Sequence, residues 1–343
     1  MSGKLFDFCI GNPPYQEQNQ LSNRQEPVYH EFMEASYQVA DCVELITPAR
    51  FLFNAGQTPK AWNEKMLSDN HFKVLVYQKD ASVIFPNTDI KGGVAITVRD
   101  SNRDYGKIGV FTSLPMLNNI VRRMDQFHID KSLKDIVNPK SCFNLDGTLY
   151  DEHPELKNVF TKGNEYIIDA SIFKKMAVVF DDKKSAQKEI KVYGRIGNTR
   201  GAKFIESRFI KDVKGIKQYK VIIPGANNSG HFGETLSHPF VGEPGSIHTQ
   251  TYMNFGYFNT EYEANACLKY ICTRFSRCLL GVLKVTQNNP KAVWAKIPLQ
   301  DFTPSSDIDW SKSVHEIDLQ LYRKYGLSNE EIDFIETNVK EMI

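Results

Sequence analysis

Two adjacent prolines, Pro13 and Pro14, end an apolar run formed by Leu5, Phe6, Phe8, Cys9 and Ile10, and they constrain this 343-residue chain more than any other feature. Proline has a fixed φ and no N–H, so a strand predicted over residues 4–10 must leave through a stiff bend. The loop Asn12-Pro13-Pro14-Tyr15 is then a cup of acceptors, in which the Asn12 side-chain oxygen and the Pro13 carbonyl face the same –NH2 group. Tyr15 adds a flat ring. Together they fit a planar molecule bearing an exocyclic amine.

The pattern that follows is α/β. Residues 27–40 have helical spacing, with Pro27 in the first turn and Tyr29, Phe32, Met33, Ser36, Tyr37 and Ala40 on one face. A strand over residues 43–46, a helix near residues 60–67, and strands over residues 72–77 and 93–98 complete the series, the last two reading as a hairpin. Strands alternating with helices predict a largely parallel sheet with helices on its faces. Beyond residue 110, Gly and Pro punctuate short β-like runs such as Tyr219 to Ile223, until helical spacing returns over residues 261–283. The tail predicts two short amphipathic helices, the second capped by Ser328 with Glu331. Three segments are therefore expected: 1–110, 111–285 and 286–343.

Composition narrows the class but not the partner. Lys and Arg number 42 against 41 Asp and Glu, so any surface for a polyanion must be local. No apolar stretch approaches the roughly 18–20 residues of a membrane span, and no basic-then-apolar leader opens the chain, so a cytoplasmic protein is expected. The six cysteines form no CxxC pair, and no metal site is expected.

The stretch Phe6 to Tyr15 resembles the catalytic (Asp/Asn/Ser)-Pro-Pro-(Tyr/Phe) motif of the S-adenosylmethionine-dependent DNA adenine-N6 methyltransferases of restriction–modification systems. The resemblance implies that Asn12 and Pro13 bind the target amine, that Pro14 stiffens the loop, and that Tyr15 stacks on a flipped adenine. Two acceptors that hold both amine protons concentrate the nitrogen lone pair for attack on a methyl group. It also implies a partial Rossmann-like methyltransferase sheet, strands four to seven, ending near Asp100, followed by a mixed α+β target-recognition domain.

The implied methyl donor is S-adenosylmethionine, yet only eleven residues precede Asn12, where the family places its donor site. The one downstream Gly-rich candidate, YKVIIPGANNSGHFGE, lacks an acidic strand end. The expectation is a catalytic-loop and recognition half that works with a separate donor-binding chain, leaving the sheet edge Leu5 to Ile10 uncovered. The alternative is a non-catalytic DNA-binding specificity subunit or inactive fragment. Double-stranded DNA is the expected partner, contacted by Arg195, Asn198, Arg200 and Lys203 on a loop and by Arg274 and Arg277 after a helix. Lys214, Lys217 and Lys220 read as a charged face, and residues 248–251 as base-reading groups or a satisfied turn.

Overall fold

The structure is a computed structural model that describes residues 4–16, 26–88, 90–127, 130–187, 189–226, 230–284 and 286–342. The chain divides into two compact units, 1–122 and 123–343. Residues 286–343, expected as a separate segment, belong to the second unit.

The first unit is built on a four-stranded sheet of β1 (Phe6–Gly11), β2 (Ala40–Pro48), β3 (Phe72–Gln78) and β4 (Val94–Asp100), in the spatial order β1-β2-β4-β3. Helix α1 (Tyr29–Val39) crosses between β1 and β2, which pair in parallel from Phe6 opposite Ala40 to Gly11 opposite Leu45. Helix α2 (Lys60–Ser68) leads from β2 to β3. The sheet is less parallel than the pattern predicts, because β4 inserts antiparallel between β2 and β3. The connection over residues 79–93 carries only the 3-10 turn Ala81–Val83 among its described residues and no α-helix to form a crossover, and β4 returns beside its predecessor as the expected hairpin. Strands β1, β2 and β3 still run the same way, and their carboxyl ends share one rim with the start of β4.

Tyr29 and Met33 of α1 bury against Val43, Leu45, Phe51 and Phe72 on one face of this sheet. Phe32, predicted on the same helical face, is 45% exposed, because it lies at the margin of the stripe. Strand β1 is an edge. Lys4 Nζ donates to the Ala40 carbonyl at 2.9 Å and fastens its start, while Leu5, Phe6, Phe8 and Ile10 are 76, 58, 72 and 79% exposed. That is a row of free backbone groups flanked by bare apolar side chains.

The boundary between the units falls after Arg122, within helix α3 (Pro115–Asp125), and the one-turn helix α4 (Leu133–Ile136) follows in the second unit. Strands β5 (Val137–Asn138), β8 (Tyr219–Pro224), β9 (Phe240–Gly242) and β11 (Tyr252–Phe258) form an antiparallel sheet in the order β5-β11-β8-β9. Strands β6 (Ile190–Ile196), β7 (Thr199–Ile205) and β10 (Ser246–His248) form a mixed sheet in the order β10-β6-β7, with β10 parallel and β7 antiparallel to β6. Short helices α5 (Thr148–Glu152) and α6 (Ile172–Lys175) pack Leu149, Tyr150, Ile172 and Phe173 into one core with Val192 and Ile205.

The predicted helical run over residues 261–283 is two helices, α7 (Glu261–Cys272) and α8 (Arg274–Leu283). Thr273 breaks it by capping α8, its hydroxyl accepting from the Ser276 N–H at 3.1 Å. Helices α9 (Val314–Lys324) and α10 (Asn329–Asn338) end the chain, and Ser328 with Glu331 closes the expected capping box. Met33→Ala, at a fully buried site, should lower stability by about 2–5 kcal/mol in urea denaturation. Phe8→Ser should cost less than about 0.5 kcal/mol; comparable losses would contradict the edge assignment.

Candidate functional site

The Asn12–Tyr15 loop leaves β1 at the carboxyl rim, where crevices of open α/β sheets take their ligands. Its peptide bonds are trans. The Tyr15 carbonyl accepts from the Val28 N–H at 3.2 Å, and Gln16 bridges to Pro27, so the bend is tied to the start of α1. Pro27 thus sits in this tie, two residues before the helix rather than in its first turn. Among the described residues, neither the Asn12 side chain nor the Pro13 carbonyl has a hydrogen-bond partner, while Asn12 is exposed.

Tyr15 is half-buried, its ring set edge-on to Phe85 at 6.4 Å between centroids, on the β3–β4 connection. Its hydroxyl is buried without a hydrogen-bond partner among the described residues, and burial pushes it up to about 12. The ring is therefore held by packing, with Phe85 beside it. Phe85 carries no chemical signal of its own in the sequence; only the pairing of β3 with β4 brings it to the rim.

In the second unit, β6 and β7 form a hairpin whose turn is Gly197-Asn198, with Gly197 at φ +60°. A positive φ at the first central residue is a type II′ turn, which matches the twist of the flanking strands. Arg195 and Arg200, expected on a loop, face each other across the strands, and the residues from Arg195 to Arg200 are all exposed. Like charges directly opposite are unfavourable until an anion joins them. Asn198 occupies the turn itself, while Lys203 is engaged with Asp182 at 2.7 Å.

The two remaining arginines do not face solvent. Arg277 is 2% exposed and gives its guanidinium to the carbonyls of Cys272, Glu234 and Lys340. Arg274 pairs with Glu336 at 2.6 Å and donates to the Val339 carbonyl at 3.1 Å. The Asp318 carboxylate takes the N–H groups of Arg274 and Phe275 at 3.0 and 2.8 Å. Both arginines tie α8 to the C-terminal helices, a correction to their reading as phosphate contacts.

Lys220 is also buried, donating to the Ser246 carbonyl at 2.8 Å. His248 is buried too, so it cannot read bases: its Nδ1 meets the Thr249 carbonyl at 3.0 Å and its Nε2 meets Asn254 Nδ2 at 2.9 Å. Cys142 Sγ stands 3.8 Å from that Nε2, but burial pushes the thiol up to about 11 and the imidazole down to about 4. This Cys-His-Asn group is a satisfied polar interior, not an activated nucleophile.

The Gly-rich stretch after β8 does not fit a methyl donor. Strand β8 is flanked by antiparallel neighbours, not by a βα unit. The Gly225 N–H donates to the Thr251 carbonyl at 2.9 Å, and the Gly230 N–H to the Glu234 carboxylate at 3.0 Å. The amides of these two glycines are already used; residues 227–229 of this stretch, Ser229 among them, lie outside the described residues. No group of three or more His, Cys, Asp or Glu at metal-holding distance occurs among the described residues. None of the described helices is long and apolar enough to cross a membrane.

With this geometry in place, comparison with known proteins is informative for the first unit. Residues 2–85 match the family described as Eco57I restriction-modification methylase. The match takes in β1, the Asn12–Tyr15 loop, α1, β2, α2, β3 and Phe85. No curated protein matches the chain. Among solved structures, the type IIG restriction endonuclease BpuSI is 11% identical with a TM-score of 0.32, over 96% of this chain and 52% of that one. The chain thus spans about half the length of that enzyme, and a similarity at this score carries no argument.

Two outcomes test the second unit. Burial holds Lys220 at about 8 instead of 10.5, so between those values the unfolded chain binds more protons and stability rises with pH. The unfolding midpoint should climb across that window more steeply in the wild type than in Lys220→Met; parallel curves would contradict the assignment. Native Cys142 should resist iodoacetamide near pH 8, because a thiol held at about 11 is protonated there.

Proposed function

We propose that the first unit holds the target side of a DNA adenine-N6 methyltransferase of restriction–modification type, and that the second unit carries target recognition. The observation that carries this reading is the acceptor pair Asn12 and Pro13, without partners among the described residues, at the carboxyl rim beside Tyr15, inside the segment that matches the methylase family. On this reading β1, β2, β3 and β4 are strands four to seven of a Rossmann-like methyltransferase sheet. Asn12 and the Pro13 carbonyl accept the two protons of the adenine amine, Pro14 keeps the bend rigid, and the fixed ring of Tyr15 stacks on the extruded base.

S-adenosylmethionine would supply an activated methyl group. Since the one Gly-rich candidate does not fit it, we assign the donor to a further polypeptide segment or chain that covers the free edge of β1. The tip of the β6–β7 hairpin supplies DNA contacts through Arg195, Asn198 and Arg200, while Lys203, Arg274 and Arg277 are left out because their charges are engaged. The engaged amides of Gly225 and Gly230 favour one other reading, a DNA-binding subunit that never meets a donor.

Tritium transfer from labelled S-adenosylmethionine to duplex DNA, by the chain alone and with its donor-binding partner, separates these readings. Asn12→Ala should lower transfer at least ~100-fold. Unchanged transfer would refute the amine grip, and DNA binding without transfer under either condition would support the second reading. Replacing Arg195 and Arg200 with Ala should lower the salt slope of DNA binding by roughly 1.8, two phosphates' worth. An unaltered slope would remove the hairpin from the interface.

A further inference from the structure

Arg50 lies two residues beyond β2, at the same rim as the Asn12–Tyr15 loop, at the start of a short 3-10 turn over Arg50–Phe53. It is exposed, and its guanidinium has neither an ion pair nor a hydrogen bond with any described residue. Yet its stem is confined. Gly56 and Gly92 hold φ of +98° and +89°, and a Cβ on them would lie 3.2 Å from Arg50 Cβ and 2.5 Å from Arg50 Cγ. Two loops that are far apart in sequence thus each leave out a side chain to let this arginine through.

The turn that bears it is rigid. The Ala49 N–H donates to the Gly93 carbonyl at 3.0 Å, and the Arg50 carbonyl accepts from the Ala55 N–H at 3.1 Å. Asn63, buried, links the turn to α2 by donating to Asn54 Oδ1 at 3.3 Å and accepting from the Thr58 hydroxyl at 2.8 Å. Phe51 packs against Trp62 at 5.1 Å between ring centroids. Burial raises the Tyr29 hydroxyl to about 12, a rise that Thr58 and the Arg50 charge oppose, which places that charge beside the start of α1. A surface arginine with nothing to neutralise is ordinarily left loose; this one is held in a glycine-lined slot at the rim that also carries the acceptor-only cup.

We propose that Arg50 binds a backbone phosphate of DNA next to the extruded nucleotide. A guanidinium forks onto phosphate oxygens, and the cup at the same rim offers a phosphate no donor of its own. The inference rests on the proposed function and adds to it the group that anchors the strand at the rim. Arg50 is a binding residue; it does not touch the amine.

The test is fluorescence anisotropy of the full chain with labelled duplexes of several sequences, from about 50 to about 200 mM salt. Arg50→Ala should weaken binding roughly three- to tenfold for every sequence and lower the slope of log K against log salt by about 0.9, one phosphate. Arg50→Lys should restore the slope, and Arg50→Gln, which keeps the stem in the slot, should behave as Ala does. Wild-type slope in both Ala and Gln variants, or a loss confined to one sequence, would overturn the proposal. A wild type that does not bind DNA would overturn the proposed function and this inference together; tight binding with an unaltered Arg50→Ala slope would overturn only the inference.

Discussion

The parallel pairing of β1 with β2 is the constraint on which the first unit depends. It runs from Phe6 opposite Ala40 to Gly11 opposite Leu45, is fastened by Lys4, and delivers the chain to the rim where Pro13 and Pro14 forbid the strand to continue. With only one neighbour among the described residues, β1 leaves its other edge unpaired there and Phe6, Phe8 and Ile10 exposed. A strand so placed is costly to leave uncovered. The proposed function uses the same strand twice: its end holds the target amine, and its free edge receives the part that carries the donor.

Cationic groups sort by what they already hold. Arg277, Arg274 and Lys220 spend their donors on carbonyls or carboxylates inside the second unit, and truncating any of them would leave buried acceptors without partners. Arg195, Arg200 and Arg50 face solvent with no acidic partner among the described residues. A balanced net charge of +1 therefore conceals a few sites where positive charge is uncommitted. These are the sites where a polyanion gains most.

Much of the first unit was legible in its sequence. The strands, the helix near residue 60 and the hairpin follow from local periodicity and turn chemistry, as does the capping box at Ser328 in the second unit, and the structure contains them. The insertion of β4 between β2 and β3 did not follow, because strand order is decided by which neighbour buries Val94 and Ala95, a contact far apart along the chain. Arg274 and Arg277 were misread for a related reason. A polar cluster read as following a helix looks like a phosphate site until the tail, some sixty residues on, supplies Glu336 and the carbonyl of Lys340. The Asn12–Tyr15 loop was readable because proline restricts its own backbone, whereas Phe85 and Arg50 reach the rim only through tertiary pairing and two distant glycines.

The central claim is that Tyr15 contacts an extruded base, and photochemical crosslinking tests it without a methyl donor. A randomised DNA duplex pool carrying 8-azidoadenine in place of adenine, irradiated with the full chain and mapped by peptide mass spectrometry, should place a crosslink on the peptide containing Tyr15. That crosslink should vanish in Tyr15→Ala while contacts in the β6–β7 hairpin persist. Crosslinks confined to other peptides, with the same pattern in the wild type and in Tyr15→Ala, would contradict the account.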